Sequence, residues 1–233
     1  MIWAWLMARL WELIMASGHV HDSLPIIDLS WYIGLAELNI FISPRIFVVI
    51  EDDVRSGNVA YFLNRPMPYL WMRFAEGMGA MLANFVIYTL VGLPYLYFLY
   101  GGFPTLGGWV LFPVMGFVLV GAALHLLFQM FCGLLTFWSN DAIVVYYAYQ
   151  KLFFSLGGVY IPMTLYPAIF YPDLLKFLPF ASLTGNGVSL ILQYSDALVI
   201  EYAALQLLWI GLAAWGLSRL YRTCLKKVEI NGG

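Results

Sequence analysis

Charge is scarce in this chain. Only 10% of its 233 residues are Asp, Glu, Lys or Arg, and 63% are hydrophobic; soluble domains carry about 25% charged residues. With a mean hydropathy of +0.83, the composition excludes an ordinary soluble domain and points to a polytopic membrane protein. The basic residues never form a stripe interleaved with aromatics, which excludes nucleic acid as a partner. Cysteine is nearly absent. Cys132 and Cys224 have neither metal-type spacing nor a disulfide framework. Catalytic signatures are missing too: no G-x-x-x-x-G-K-[ST] phosphate loop, no H-E-x-x-H and no G-x-S-x-G elbow. The chain is therefore read as a non-enzyme with no nucleotide site and no cofactor of its own. His19, His21 and Asp22 in "HVHD" are two histidines two apart in a loop, read as solvated and not as a metal site.

What is present is apolar runs. A helix of roughly 20 apolar residues spans a bilayer, and six candidates occur, at about 1–16, 30–50, 74–100, 109–138, 142–162 and 198–220. The first run has no basic n-region, and Arg9 and Glu12 interrupt it, so it is read as a short membrane helix and not as a cleaved signal peptide. Connections are short and no internal repeat is visible, which gives one all-α membrane domain over 1–233. Arg55, Arg65 and Arg73 in the 51–73 segment, and Arg219, Arg222, Lys226 and Lys227 in the tail, contrast with loops 17–30 and 101–108, which have no Lys or Arg. The positive-inside rule places the 51–73 segment and both termini in the cytoplasm. Trp31, Trp71, Trp109, Trp138 and Tyr221 near the span ends fit interfacial anchors.

Within "EDDVRSGNVAYFLNRPMPYLWMR" (51–73), an apolar stretch from Val59 to Leu63 follows Gly57 and ends before Pro66 and Pro68. A short amphipathic helix at the membrane surface fits it. Several polar residues fall inside apolar runs, among them Glu37, Asn39, Arg45, Asn84, His125, Gln129, Lys151, Glu201 and Gln206. Charges in lipid are costly, so they are expected to face the bundle interior, a cavity or each other. Lys151 sits about nine residues into its run, near mid-depth at about 1.5 Å per residue. It is either a functional buried charge or a structural lysine paired with Glu37 or hydrogen-bonded by Gln129. Ala75, Gly79 and Ala83 recur every four residues, the spacing of a close helix contact within the bundle or in a dimer.

"PMTLYPAIFYPDLLKFLPFA" (162–181) holds four prolines, Pro162, Pro167, Pro172 and Pro179. Proline breaks a continuing helix, so the fifth span stops at Pro162. Two short outer helices, about 164–178 and 181–193, are expected before the last span.

Three segments together resemble the membrane-spanning permeases of type-2 ABC exporters, specifically the bacterial viologen- or daunorubicin-type branch. "IEDDVRSGNVAYFLNRPMPYLWMRFAEGMG" is similar to the family's segment after the second span, with an Arg-Ser-Gly turn and a Leu-x-Arg-Pro-x-Pro exit. "GGVYIPMTLYPAIFYPDLLKFLPFASLTGNGVSLIL" is similar to its fifth-span exit, and "FWSNDA" to its turn between spans four and five. The likeness covers most of 30–220 and departs at "TGNGVSLIL", where the family more often has a proline.

The resemblance implies a six-span permease that acts as a homo- or heterodimer in the bacterial inner membrane. It would dock on two copies of a separate ATP-binding subunit, where ATP and Mg would reside. The 51–65 segment would be a coupling helix, with Val54, Arg55, Gly57, Val59, Phe62, Leu63, Arg65 and Pro66 as its coupling residues. Lys151, Glu37, His125, Gln129, Pro162, Pro167 and Phe180 are candidates for the translocation path or outer gate. The alternative is an ion-coupled carrier or channel subunit that uses Lys151, Glu37 and His125 as a relay.

Overall fold

The computed structural model describes residues 2–16, 24–63, 66–139 and 141–232. Among these residues all regular structure is helical. The elements are α1 (Ile2–Ala16), α2 (Ile26–Ile42), α3 (Ile46–Arg55), α4 (Asn58–Leu63), α5 (Tyr69–Tyr100), α6 (Leu111–Leu134), α7 (Ala142–Leu156), α8 (Pro172–Leu175), α9 (Pro179–Leu183), α10 (Gly185–Ser189) and α11 (Asp196–Gly232). The chain is an all-α multi-pass membrane protein. Among the described residues, four helical stretches are long and apolar enough to cross a membrane: Ile26–Arg55, Tyr69–Tyr100, Gly108–Phe137 and Asp196–Lys226.

The span read at 30–50 is two helices. Pro44, which cannot donate to the ladder, separates α2 from α3. α5 keeps Pro94 inside it and runs 32 residues, about 48 Å, before Gly101 ends it in the left-handed conformation (φ 77°). α1 and α7, both read as spans, have 15 residues each, about 22 Å. α7 nevertheless joins the two ends of the bundle. Near its start Tyr146 stacks on Phe47 of α3 (4.0 Å). Beyond its last turn the Gly158 carbonyl accepts from the Tyr32 hydroxyl, near the start of α2. α1 lies at this second end. Its Trp11 indole donates to the Tyr160 carbonyl (3.3 Å). Its Trp5, Arg9 and Glu12 line a cavity of about 360 Å³ with Ile26, Ile27, Ser30, Leu99 and Tyr100.

α6 is the axis of the bundle. It is apolar on every face and carries Gly121 and Gly133 where neighbours come closest. A Cβ on Gly133 would stand 2.7 Å from Ile50 Cβ, and one on Gly121 would overlap the Leu183 carbonyl. Ala75, Gly79 and Ala83 are all exposed, so that small-residue face is not a contact within the bundle. Gly77 packs instead, against Leu126.

The proline-rich segment differs from the two helices expected. It forms 3-10 turns at Met163–Leu165 and Ala168–Phe170, then α8, α9 and α10, none longer than five residues. Pro162 and Pro167 immediately precede the two turns, and Pro172 and Pro179 stand at the first positions of α8 and α9. Proline's fixed φ and missing donor suit a helix start, so these residues begin each piece. Residues 181–191 are buried throughout. The segment thus re-enters the bundle, where exposed carbonyls would otherwise lack partners. Asn39 Nδ2 donates to the Leu183 carbonyl (2.5 Å) and Thr184 Oγ1 (2.8 Å). Gln206 Nε2 donates to the carbonyls of Phe117 (3.1 Å) and Ser182 (2.9 Å). Two of the intramembrane polar residues picked out in the sequence therefore serve the backbone of this re-entrant piece.

Candidate functional site

The end of the bundle that carries α4 holds a compact ionic cluster. α3 ends in acids, and α5 begins with Tyr69 and places Arg73 one turn later, so both side chains face back toward Asp53. The Asp53 carboxylate accepts from the Tyr69 hydroxyl (2.7 Å) and from Arg73 Nε (2.7 Å), and Arg73 Nη2 completes the ion pair at 2.5 Å. Arg73 Nη1 also reaches Glu76 (2.5 Å). Asp53 is 5% exposed and Tyr69 1%. The Arg73 guanidinium lies over the ring of Phe62 in α4 (5.0 Å), and Tyr69 stacks on Tyr221 of α11 (6.0 Å). One half-buried arginine thus fastens α3, α4 and α5, and Tyr69 extends the joint to α11. Sequence reading counted Asp53 only as one of three acids and Arg73 only as a flanking charge. Their separation of 20 residues gives no local pattern that would pair them.

The described residues of the coupling segment read from the sequence belong to this end. Val54 is half-buried, and exposed Arg55 pairs with Glu51 (2.7 Å). Gly57 joins α3 to α4 with φ 74°, a conformation that favours glycine. Val59 is buried at 2% and anchors α4, whereas Tyr61, not singled out in the sequence, is 66% exposed. Phe62 is half-buried, Leu63 is the last residue of α4, and Pro66 is exposed. Arg65 lies outside the described residues, as do His19, His21 and Asp22.

The residues read as path or gate do not form one site. His125 and Gln129, one turn apart on α6, are buried, and His125 Nδ1 lies 2.7 Å from the Tyr149 hydroxyl of α7. Phe180 packs near Tyr149 (6.3 Å between rings) and Phe128 (6.4 Å). Glu37 is buried in α2, Pro162 is buried and Pro167 exposed. Lys151 departs from both readings made of it. It is exposed on the outer face of α7 and meets neither Glu37 nor Gln129, because the inward positions of that helix are taken by Ala142, Tyr149 and Phe153.

A second cavity, about 330 Å³, opens beneath the proline-rich segment and is lined by Thr164, Asp173, Lys176, Asn186, Gln193 and Tyr202 among others. Lys176 pairs with Glu201 (2.7 Å), and this hydrogen bond holds the ammonium above the ordinary lysine range. Among the described residues no three His, Cys, Asp or Glu side chains are grouped to hold a metal.

Residues 27–232 match the family model described as ABC-2 family transporter protein. Compared with curated proteins the chain has no match. The chain belongs to the ABC-2 transporter family.

Proposed function

We propose that this chain is the permease subunit of an ATP-driven exporter of the viologen- or daunorubicin-type branch. In this reading it forms the translocation path as a homo- or heterodimer in a bacterial inner membrane. Its α4 end faces the cytoplasm and docks on an ATP-binding subunit, two copies per dimer, which supplies ATP and Mg. The C-terminal part of α11 lies on that side, whereas α1 lies at the opposite end of the bundle, against the cytoplasmic N-terminus expected from six spans.

The observation that carries the reading is the joint at α4. A six-residue helix hangs from a glycine hinge, presents Tyr61 outward, and is fixed through Phe62 and Arg73 to α3, α5 and, by way of Tyr69, α11. A force applied to α4 would therefore reach several membrane helices at once, as an ATP-driven population shift requires. Arg55, Gly57, Leu63, Arg65 and Pro66 would shape the docking surface, Val54 and Phe62 its base, and Val59 its anchor.

The test is co-expression with a tagged ATP-binding cassette subunit. The wild-type chain should co-purify with it and stimulate its ATPase. Tyr61→Asp should abolish both while the variant still elutes as a folded species. Full stimulation by Tyr61→Asp would remove α4 from the coupling role, and no association by the wild-type chain would overturn the permease reading.

A further inference from the structure

The cavity beneath the proline-rich segment sits at a definite depth in the membrane. Asp196–Lys226 is one of the stretches that cross it, and Leu198 and Tyr202 of α11 line the cavity. They follow Asp196 by two and six residues, about 3 and 9 Å along the axis. Polar headgroups fill about 5–7 Å on each side of the hydrocarbon core, so the cavity lies where headgroup gives way to acyl chain. The end of α8 is held at this level. Lys176, just after it, pairs with Glu201 of α11 (2.7 Å), and the Phe177 carbonyl accepts from the Trp209 indole (2.9 Å).

The lining carries both signs of charge. Asp173 and Lys176 stand three apart, close enough to share one side of a helical turn. Thr164 and Tyr202 bring hydroxyls to the same cavity. Asn186 Nδ2 donates to the Lys176 carbonyl (2.8 Å), which fixes the lysine backbone against α10. An ammonium has three donors, and Glu201 takes one of them. Among the described residues Asp173 makes no ion pair, so two acids and one base leave a negative surplus. A ligand that suits this lining brings an ammonium for Asp173 and an acidic group for the remaining Lys176 donors. Ile169, Phe170 and Leu174 of the same segment are exposed, and at this depth acyl chains are the apolar phase that meets them.

We propose that the cavity is a headgroup site for a phospholipid that joins a phosphate to a primary ammonium, as phosphatidylethanolamine does. Lys176 takes the phosphate, with Thr164 and Tyr202 donating to its oxygens, and Asp173 takes the ammonium. An anionic phospholipid offers Asp173 no partner and meets the negative surplus. A choline headgroup has no N–H to donate. Both are therefore disfavoured. The site is independent of the ATP-driven export proposed above and stands without an ATP-binding partner.

Native mass spectrometry tests it on the full chain, released from nanodiscs of equimolar phosphatidylethanolamine, phosphatidylcholine and phosphatidylglycerol. The wild-type chain should retain one phosphatidylethanolamine in preference to the other two lipids. Asp173→Asn removes a carboxylate that is outside any ion pair. It should lower the preference over phosphatidylglycerol about fivefold, the upper end for an exposed charge contact. Lys176→Gln should weaken retention of every phospholipid, but it also breaks the pair with Glu201. Glu201→Gln breaks that pair while leaving the ammonium in place, and it should keep the lipid. Equal retention of the three lipids by the wild-type chain, or an unchanged preference in Asp173→Asn, would overturn the proposal. Equal losses in Glu201→Gln and Lys176→Gln would also overturn it and leave the pair as a strut between α8 and α11. Glycerophosphoethanolamine, which lacks acyl chains, should fail to displace the lipid at equal concentration. Displacement there would overturn the membrane as the source of the ligand.

Discussion

A buried ion pair is informative mainly through what happens when half of it is removed. Asp53 is 5% exposed and receives three donors, two of them from Arg73. Arg73→Met would leave the carboxylate with the Tyr69 hydroxyl and no countercharge, and such a loss costs about 3–5 kcal/mol. Asp53→Asn alone should be similarly destabilising because the guanidinium would keep only Glu76, which is 54% exposed. The double variant Asp53→Asn/Arg73→Met removes both charges and should unfold at a lower energetic loss than the sum of the two singles. Denaturant unfolding in micelles measures this, and strict additivity would show that the two residues are not coupled. Residue by residue, the sequence was a poor guide here. Gly57 was legible because a left-handed turn needs glycine, whereas Asp53, Tyr69 and Arg73 acquire their role only when α3 and α5 meet. Lys151 was conspicuous as a charge in an apolar run, yet the assumption that such a charge faces inward failed, because burial depends on which helix face α6 occupies.

At the scale of elements, the re-entrant α9–α10 piece depends on one missing side chain. Gly121 lies where α6 touches the Leu183 carbonyl, so Gly121→Ala must push α9 aside and disturb the Asn39 hydrogen bonds beside it. Gly116, five residues earlier on the same helix, has nothing within 4 Å of an added Cβ. Gly116→Ala should therefore be neutral or slightly stabilising, by up to about 1 kcal/mol of helix propensity. Gly121→Ala should lower the thermal midpoint clearly or abolish folded yield. Equal behaviour of the two variants would mean that α9 does not pack as described. The prolines of this region were legible as breaks, but the fifth span, read to Pro162, ends six residues earlier at Leu156. The number of pieces was not legible. Pro162 was read as the end of the span, Pro167 and Pro172 as lying within the first of two helices and Pro179 between them, but a proline at the first position starts a helix as readily as one beyond the last position stops it. The depth of insertion is set by Asn39 and Gln206, which lie on two other helices.

For the whole molecule, hydropathy located the long helices because lipid demands apolar length, and four of the six runs contain a stretch long enough to cross. α1 (Ile2–Ala16) matches the short run read at 1–16, but hydropathy could not show that α7 ends at Leu156, since its apolar run continues past the helix end. The fold does order the remaining segments between two ends. Tyr61 and the Cys224 region of α11 lie at one, with Cys224 Sγ 3.9 Å from the Leu134 carbonyl. Ser195, ahead of α11, lies at the other, beside the Trp109–Tyr194 ring contact. Cys132 and Cys224 are 4% and 0% exposed, so the native thiols provide a nearly silent background. A membrane-impermeant maleimide added to intact cells should label Ser195→Cys and leave Tyr61→Cys untouched, and inverted vesicles should reverse the two. The opposite pattern would reverse the orientation drawn from the arginines and lysines. Labelling of both positions from one side would break the ordering of the helices between two ends.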